Sequence, residues 1–241
     1  MWSGPRNIST AMMRAFGARQ DAHVSDEPLY AYYLKQTGLA HPLAAEIVET
    51  HENDWRRVVD ELCGPTPQGE PIWYQKHMSH HLLDEVERDW LDGFQVAFLI
   101  REPRAMITSL IEKLGQIRIE DTGLPQQVEL FRWQCERTGK TPAVVDAKET
   151  LLDPAGVLEQ FCERVGVPYS DSMLRWKPGV HSTDGCWAEY WYGNTLESTT
   201  FSTYVPKDVP VPKQYEDLAV ECEALYDEMA QHRIRAKASS K

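Results

Sequence analysis

Gly4, Pro5, Arg6, Asn7, Ile8, Ser9 and Thr10 follow one another near the start of the chain, and residues of these types in this order can hold an anion. A Gly-Pro-Arg turn leads into two hydroxyl residues, then into a helical run in which Met12, Met13 and Phe16 recur at core spacing. A short strand, a tight turn and a helix N-terminus leave the first helical amides unpaired and aimed into the turn. The helix dipole favours negative charge there. Arg6 adds a fixed positive charge, and Ser9 and Thr10 add hydroxyl donors. That chemistry suits a phosphate or sulfate ester, with an ordinary helix start after a turn as the plainer alternative.

A second set lies at Arg101, Pro103 and Ser109. Arg101 follows the apolar run 94–100, where ligands bind at the carboxyl end of strands in open α/β sheets. Ser109, two turns into the next helix, can return to the same pocket. A guanidinium fork plus a hydroxyl is a receptor for a phosphate monoester. A strand-end arginine paired with Glu102 is the competing reading.

Candidate bases come from two places. Lys76, His77, His80 and His81 follow a predicted strand, and a histidine near its ordinary pKa is a suitable general base. Glu27, in the turn Asp26-Glu27-Pro28, is the rival, although a carboxylate there also complements a helix dipole. Adjacent histidines diverge and no third ligand is evident, so no metal is expected. Tyr30, Tyr32 and Tyr33, with Trp187, Tyr190, Trp191 and Tyr192, could line an acceptor site or serve as core.

The elements that must position these residues alternate. Helices are expected over 11–19, from Pro28 onward, and over 52–62, 79–90, 103–114, 126–137, 153–165 and 214–233. Strands are expected over 22–25, 72–75, 94–100 and 143–146. The nearly continuous apolar run 94–100 suits a central parallel strand covered on both faces. Strand–helix alternation predicts an α/β fold with a central parallel sheet. Only three residues precede Gly4, so the first strand is very short or the start lies upstream of Met1. The segment 176–211 is irregular and rich in Trp, Ser and Thr, a lid or binding wall rather than a spacer. A small polar tail covers 236–241.

At 241 residues, one domain over 1–241 with a sizeable core is expected. The net charge of −12 argues against nucleic-acid and anionic-membrane partners; an anion can still be held where basic residues converge locally, with Arg6, Lys76, Arg101 and Arg104 as the residues to follow. Five scattered cysteines without a Cys-x-x-Cys pair read as reduced thiols. No run reaches membrane-spanning length and no signal peptide is seen, so a cytoplasmic location is expected.

The loop is not a Walker A sequence, which needs Gly-x-x-x-x-Gly-Lys-Ser/Thr. It resembles instead the phosphosulfate loop of sulfotransferases, P-[RK]-S-G-T-T. Pro5, Arg6, Ser9 and Thr10 match it, and Asn7 and Ile8 stand where that family has Ser and Gly. Arg101, Pro103 and Ser109 match R-x-P-x-x-x-x-x-S, with which sulfotransferases hold the 3′-phosphate of PAPS (3′-phosphoadenosine 5′-phosphosulfate). Asp153 and Pro154, with Leu158, Phe161, Gly166, Val167 and Pro168, resemble a third family segment. Ala147-Lys148-Glu149-Thr150 replaces the usual Y-E-D-L, and the R-K-G-x-x-G-x-W-K loop of the cytosolic enzymes is absent.

The resemblance covers about residues 1–170. It implies a three-layer α/β/α, P-loop NTPase-like fold and sulfuryl transfer from PAPS, without a metal, to a hydroxyl or amine of a small acceptor. It assigns Arg6, Asn7, Ile8, Ser9, Thr10, Arg101 and Ser109 to the cofactor. Lys76 aligns with the family's K-T-H, whose histidine position falls on Met78, one residue after His77. The catalytic candidates are His77, Glu27, Lys76 and His80, and a homodimer is left open. The alternatives are a P-loop kinase or NTPase, weakened by the missing Walker lysine and the lack of an Asp ending strand 94–100, and a non-catalytic nucleotide-binding protein on the same fold.

Overall fold

The computed structural model describes residues 1–206 and 209–237, so the predicted tail lies outside the described residues from 238 onward. Five strands, β1 (Trp2–Ser3), β2 (Ala22–Asp26), β3 (Ile72–Met78), β4 (Ala97–Ile100) and β5 (Ala143–Asp146), form one sheet in the order β2-β3-β1-β4-β5. Every pairing is parallel. Among the described residues ten α-helices accompany it: α1 (Ser9–Gly17), α2 (Tyr30–Thr37), α3 (Ala44–Thr50), α4 (Trp55–Leu62), α5 (Pro103–Leu114), α6 (Leu124–Thr138), α7 (Ala147–Leu152), α8 (Pro154–Val165), α9 (Ala188–Trp191) and α10 (Glu216–Ala230).

The sheet is buried on both faces, which explains its apolar strands. Leu99 and Val145 join one core with Met12 and Phe16 of α1 and Phe161 of α8. Their strand neighbours Phe98, Ile100 and Val144 join the opposite core, with Val58 of α4, Val128 and Phe131 of α6 and Met229 of α10. Side chains alternate along a strand, so both layers are built from the same short segments. The expected three-layer parallel architecture is the observed one.

Helix boundaries follow local chemistry. Glu102 caps α5 by accepting from the amides of Arg104 (3.0 Å) and Ala105 (2.8 Å), with Pro103 in the first turn. Asp153 caps α8, and Gly166 ends it with φ 74°. Asp54 starts α4 at Trp55 rather than at residue 52. The helix α3 was not foreseen. The helix expected over 79–90 is absent: a 3-10 turn spans Ser79–His81, another spans Asp89–Gly93, and the chain between is irregular. Leu82, Val86 and Leu91 are all buried there, but the five-residue interval between the last two breaks a helical repeat. β3 continues past Gln75 to Met78 because β1 lies alongside, with Trp2 opposite His77 and Ser3 opposite Met78. Among the described residues no helix is long and apolar enough to cross a membrane.

The chain order makes a switch point. From β1 the chain moves out to β2 and β3, then returns past β1 to β4 and β5. The loops leaving β1 and β4 therefore open side by side at the carboxyl ends of the strands, the place where open α/β sheets bind ligands.

Candidate active site

A cavity of about 1120 Å³ opens at that edge, lined by Pro5 through Thr10, Glu27, Lys76, Arg101 and Ser109. Residues that are 95 and 103 positions apart touch there. Arg6 donates from Nε to Ser109 Oγ (3.1 Å) and from Nη1 to the Trp191 carbonyl (3.2 Å). Arg101 Nη1 donates to the carbonyl of Arg6. Asn7 anchors the loop by donating to the Leu99 carbonyl of β4 (3.1 Å). Arg6 itself lies in the left-handed region at φ 57°, a strained state for a side-chain-bearing residue that the surrounding contacts must hold.

The arrangement can take up negative charge. α4, α5, α7 and α8 each begin with a carboxylate accepting from their first amides. α1 has no side-chain cap and no acidic residue in its first turn, so its amides face the cavity. Arg104 is tied to Glu216 and Glu223, each at 2.6 Å. Among the described residues, neither Arg6 nor Arg101 has such a carboxylate partner. Burial lowers the pKa of both guanidiniums, and for Arg101 the charge of Arg6 lowers it further. An anion between them relieves that repulsion.

Gly4 sets the loop's path. A Cβ there would come within 2.5 Å of the Thr122 carbonyl oxygen, a backbone atom with little room to yield. Gly4→Ala is therefore expected to destabilise the protein by about 1–3 kcal/mol, the range for overpacking. Thermal unfolding checks this, and an unchanged Tm would show that the loop repacks.

The cavity floor is an ionic cluster. Lys76 Nζ bonds Asp26 Oδ1 (2.8 Å), Glu27 Oε1 (2.6 Å) and the Tyr192 hydroxyl (3.1 Å). Register explains the first contact, because Asp26 ends β2 directly opposite Lys76 on β3. Glu27 turns back at φ 47°, its amide donating to the Lys76 carbonyl at 2.9 Å. Burial pushes the Glu27 carboxyl above the usual range; Lys76 opposes that shift and Asp26 adds to it. Burial acts to lower Lys76, yet its two carboxylates outweigh it and the ammonium is held above its ordinary pKa.

The histidines separate by face. Lys76 and Met78 point into the cavity, so His77 between them points to the other side of the sheet. There it stacks on Trp2 at 4.3 Å, and its Nε2 meets Gln75 Oε1 at 3.2 Å. The structure thus does not bring His77 to Lys76 and Glu27; the strand's extension to Met78 is the reason. His80 does line the cavity, packed edge-on to Tyr33 and His81, and burial pushes its pKa down to about 3. His81 stacks on Tyr30 (4.7 Å) and Tyr33 (4.6 Å), also neutralised by burial.

A family model described as a sulfotransferase domain matches residues 1–233. The chain belongs to the sulfotransferase-domain family. Two curated relatives from Arabidopsis thaliana, the branched-chain-amino-acid aminotransferase-like proteins 2 and 1, are each 34% identical to this sulfotransferase domain, over 232 and 233 residues. The matches cover 96% of the chain and 41% of each relative, so the chain spans about two fifths of the length of the curated relatives it matches. Among solved structures, the sulfotransferase domain of the Synechococcus PCC 7002 olefin synthase superposes with TM-score 0.57 at 15% identity, covering 95% of this chain and 92% of that one. The sulfotransferase domain of the curacin biosynthetic pathway superposes with TM-score 0.51 at 13% identity, covering 91% and 95%. At such identities the likeness concerns the fold.

Several cavity residues of this sulfotransferase domain were not singled out from sequence. His41 accepts or donates at 2.9 Å to the Tyr30 hydroxyl, and Tyr204 of segment 176–211 also lines the cavity. Asp26, which lies buried beneath the cavity and does not line it, entered only as part of a turn. The charge next to Glu27 and the register opposite Lys76 are the signals that could have raised it.

Proposed function

We propose that this sulfotransferase domain moves a sulfuryl group from PAPS to a hydroxyl or amine of a small acceptor. One observation carries the reading: Arg6 of the first loop and Ser109 of the second motif are 3.1 Å apart, with Arg101 bonded to the Arg6 carbonyl. That proximity in one cavity supports two anion receptors side by side, as a donor with a 5′-phosphosulfate and a 3′-phosphate requires. The uncapped α1 amides and the two guanidiniums without carboxylate partners fit that donor.

When bound, PAPS supplies the sulfuryl group and leaves as 3′,5′-ADP. Arg6, the amides and hydroxyls of Ser9 and Thr10, and the loop backbone at Asn7 and Ile8 grip the phosphosulfate and neutralise charge on the leaving phosphate. Arg101 and Ser109 hold the 3′-phosphate. Glu27, in the cavity and with its carboxyl raised by burial, takes the acceptor's proton. Lys76 beside it keeps a fixed positive charge at the transfer point. His80 lines the same cavity, but a nitrogen whose pKa is near 3 is a weak base at neutral pH.

The test is transfer of label from radiolabelled PAPS to a panel of small alcohols, phenols and amines. A labelled product is expected with at least one class. Absence of any product, together with no binding of 3′,5′-ADP, would overturn the reading.

A further inference from the structure

The segment that walls the acceptor side of the cavity is held by two buried carboxylates. Asp184 accepts from the two terminal guanidinium nitrogens of Arg14 on α1, at 2.5 and 2.6 Å, with the Arg14 and Asp184 side chains 1% and 0% exposed. It also accepts from the His181 amide at 2.8 Å. That clamp ties the segment to α1 and reaches no reacting group.

Asp26 is different. Its Oδ2 accepts from the Gly185 amide at 3.0 Å and from the Tyr192 hydroxyl, while its Oδ1 accepts from Lys76 at 2.8 Å. Lys76 in turn holds Glu27, and its ammonium lies 4.7 Å from the centre of the Tyr192 ring. The side chain of Asp26 is 1% exposed, so these bonds form away from water, where an unpaired carboxylate or ammonium is costly. Gly185 is the residue that permits the approach: a Cβ there would meet the Trp187 ring at 2.2 Å. One carboxylate therefore has one oxygen on the segment and the other on the ammonium that orients the proposed base.

We infer that Asp26 is a positioning residue that couples the seating of the segment bearing Trp187, Trp191 and Tyr192 to the Lys76–Glu27 pair at the cavity floor. With the segment seated, Gly185 and Tyr192 fix the rotamer of Asp26, and Asp26 shares the Lys76 ammonium with Glu27. With the segment lifted, Asp26 loses two donors and draws Lys76 toward itself, which changes the charge that Glu27 experiences. An acceptor that completes the wall thereby conditions the group that takes its proton.

Every neighbour with charge enters this balance. Glu27 is faced by Lys76 from β3, Asp26 from β2, Tyr30 from α2 and Tyr192 from the segment; His81 lies near Lys76, and Asp184 near Tyr192. Asp26 is the anionic member that raises the Glu27 carboxyl, and Lys76 is the cationic member that lowers it. Removing the Asp26 charge leaves Lys76 to Glu27 alone, so both effects move the Glu27 midpoint downward.

The inference rests on the sulfotransferase reading only for the reaction that Glu27 serves, and its test needs no acceptor. In the full chain, the Glu27 carboxyl carbon is titrated by NMR, assigned with Glu27→Gln, in the wild type and in Asp26→Asn. Limited proteolysis within residues 177–196 and tryptophan fluorescence report the seating of the segment. In Asp26→Asn the Glu27 midpoint is expected to fall by roughly one unit and cleavage to rise severalfold. A merely structural residue would move the cleavage alone. If either readout keeps its wild-type value, the coupling is overturned. Should Asp26→Asn not fold, Tyr192→Phe deletes the hydroxyl shared by Asp26 and Lys76, and both readouts must again move. Binding of 3′,5′-ADP to the wild type is measured alongside. Its absence counts against the sulfotransferase reading, while the titration and cleavage still decide the role of Asp26.

Discussion

Arg101→Ala is expected to weaken 3′,5′-ADP binding by roughly 10- to 150-fold while leaving the fold intact. A hydrogen bond to a charged group contributes about 1.5–3 kcal/mol, and each 1.4 kcal/mol is about tenfold in affinity. The upper part of the range is favoured because Arg101 does two things. Its guanidinium faces the proposed 3′-phosphate position beside Ser109, and it holds the carbonyl of Arg6, whose backbone sits at φ 57°. Losing Arg101 removes a charge and loosens the first loop. Arg101→Lys keeps the charge but loses the planar fork, so partial recovery is expected. Calorimetric titration with 3′,5′-ADP checks both variants, and wild-type affinity in Arg101→Ala would remove Arg101 from the nucleotide site.

Glu27→Gln is expected to reduce the rate of sulfuryl transfer by about 10²- to 10⁴-fold, the range for loss of a general base. Binding of 3′,5′-ADP should change little, because the two receptor loops do not include Glu27. The pH dependence carries a further sign. Burial and Asp26 raise the Glu27 carboxyl, so the wild-type rate must fall on acidification through a midpoint above the usual carboxylate range. Below that midpoint Glu27 is protonated and cannot accept the acceptor's proton. In Glu27→Gln that acid limb should disappear along with the rate. A variant His80→Ala that loses the rate while Glu27→Gln keeps it would reassign the base to His80.

Much of this site was legible in sequence because its parts are local. The turn 4–8 before α1, the strand-end Arg101 with Pro103 and Ser109, and the Asp153 cap with the Gly166 stop are each written in a few consecutive residues. Their meeting point follows from parallel-sheet topology, since β1 and β4 are neighbours. What could not be read depends on partners far along the chain. His77 was a candidate because it sits one residue before the family's histidine position, in what was expected to be the turn after a strand ending at Gln75. Only the pairing of Ser3 with Met78 extends β3 and turns His77 to the opposite face. Lys76 looked like a free cation for a ligand, but Asp26 and Tyr192, 50 and 116 positions away, already hold it. The absent helix over 79–90 is a similar case: buried Leu82, Val86 and Leu91 reach the core that holds Trp2 and Phe98 from turns, not from one regular helical face.

In the proposed reaction one cavity grips a 5′-phosphosulfate and a 3′-phosphate together. Thermal unfolding of the wild-type chain with 3′,5′-ADP, with 5′-ADP and with Mg-ATP tests it most directly. Binding to the native state alone stabilises by about 2.7 kcal/mol at a hundred times Kd. 3′,5′-ADP is expected to raise Tm without magnesium, 5′-ADP to do so far less, and Arg101→Ala to abolish the difference. Stabilisation by Mg-ATP with no response to 3′,5′-ADP would contradict it.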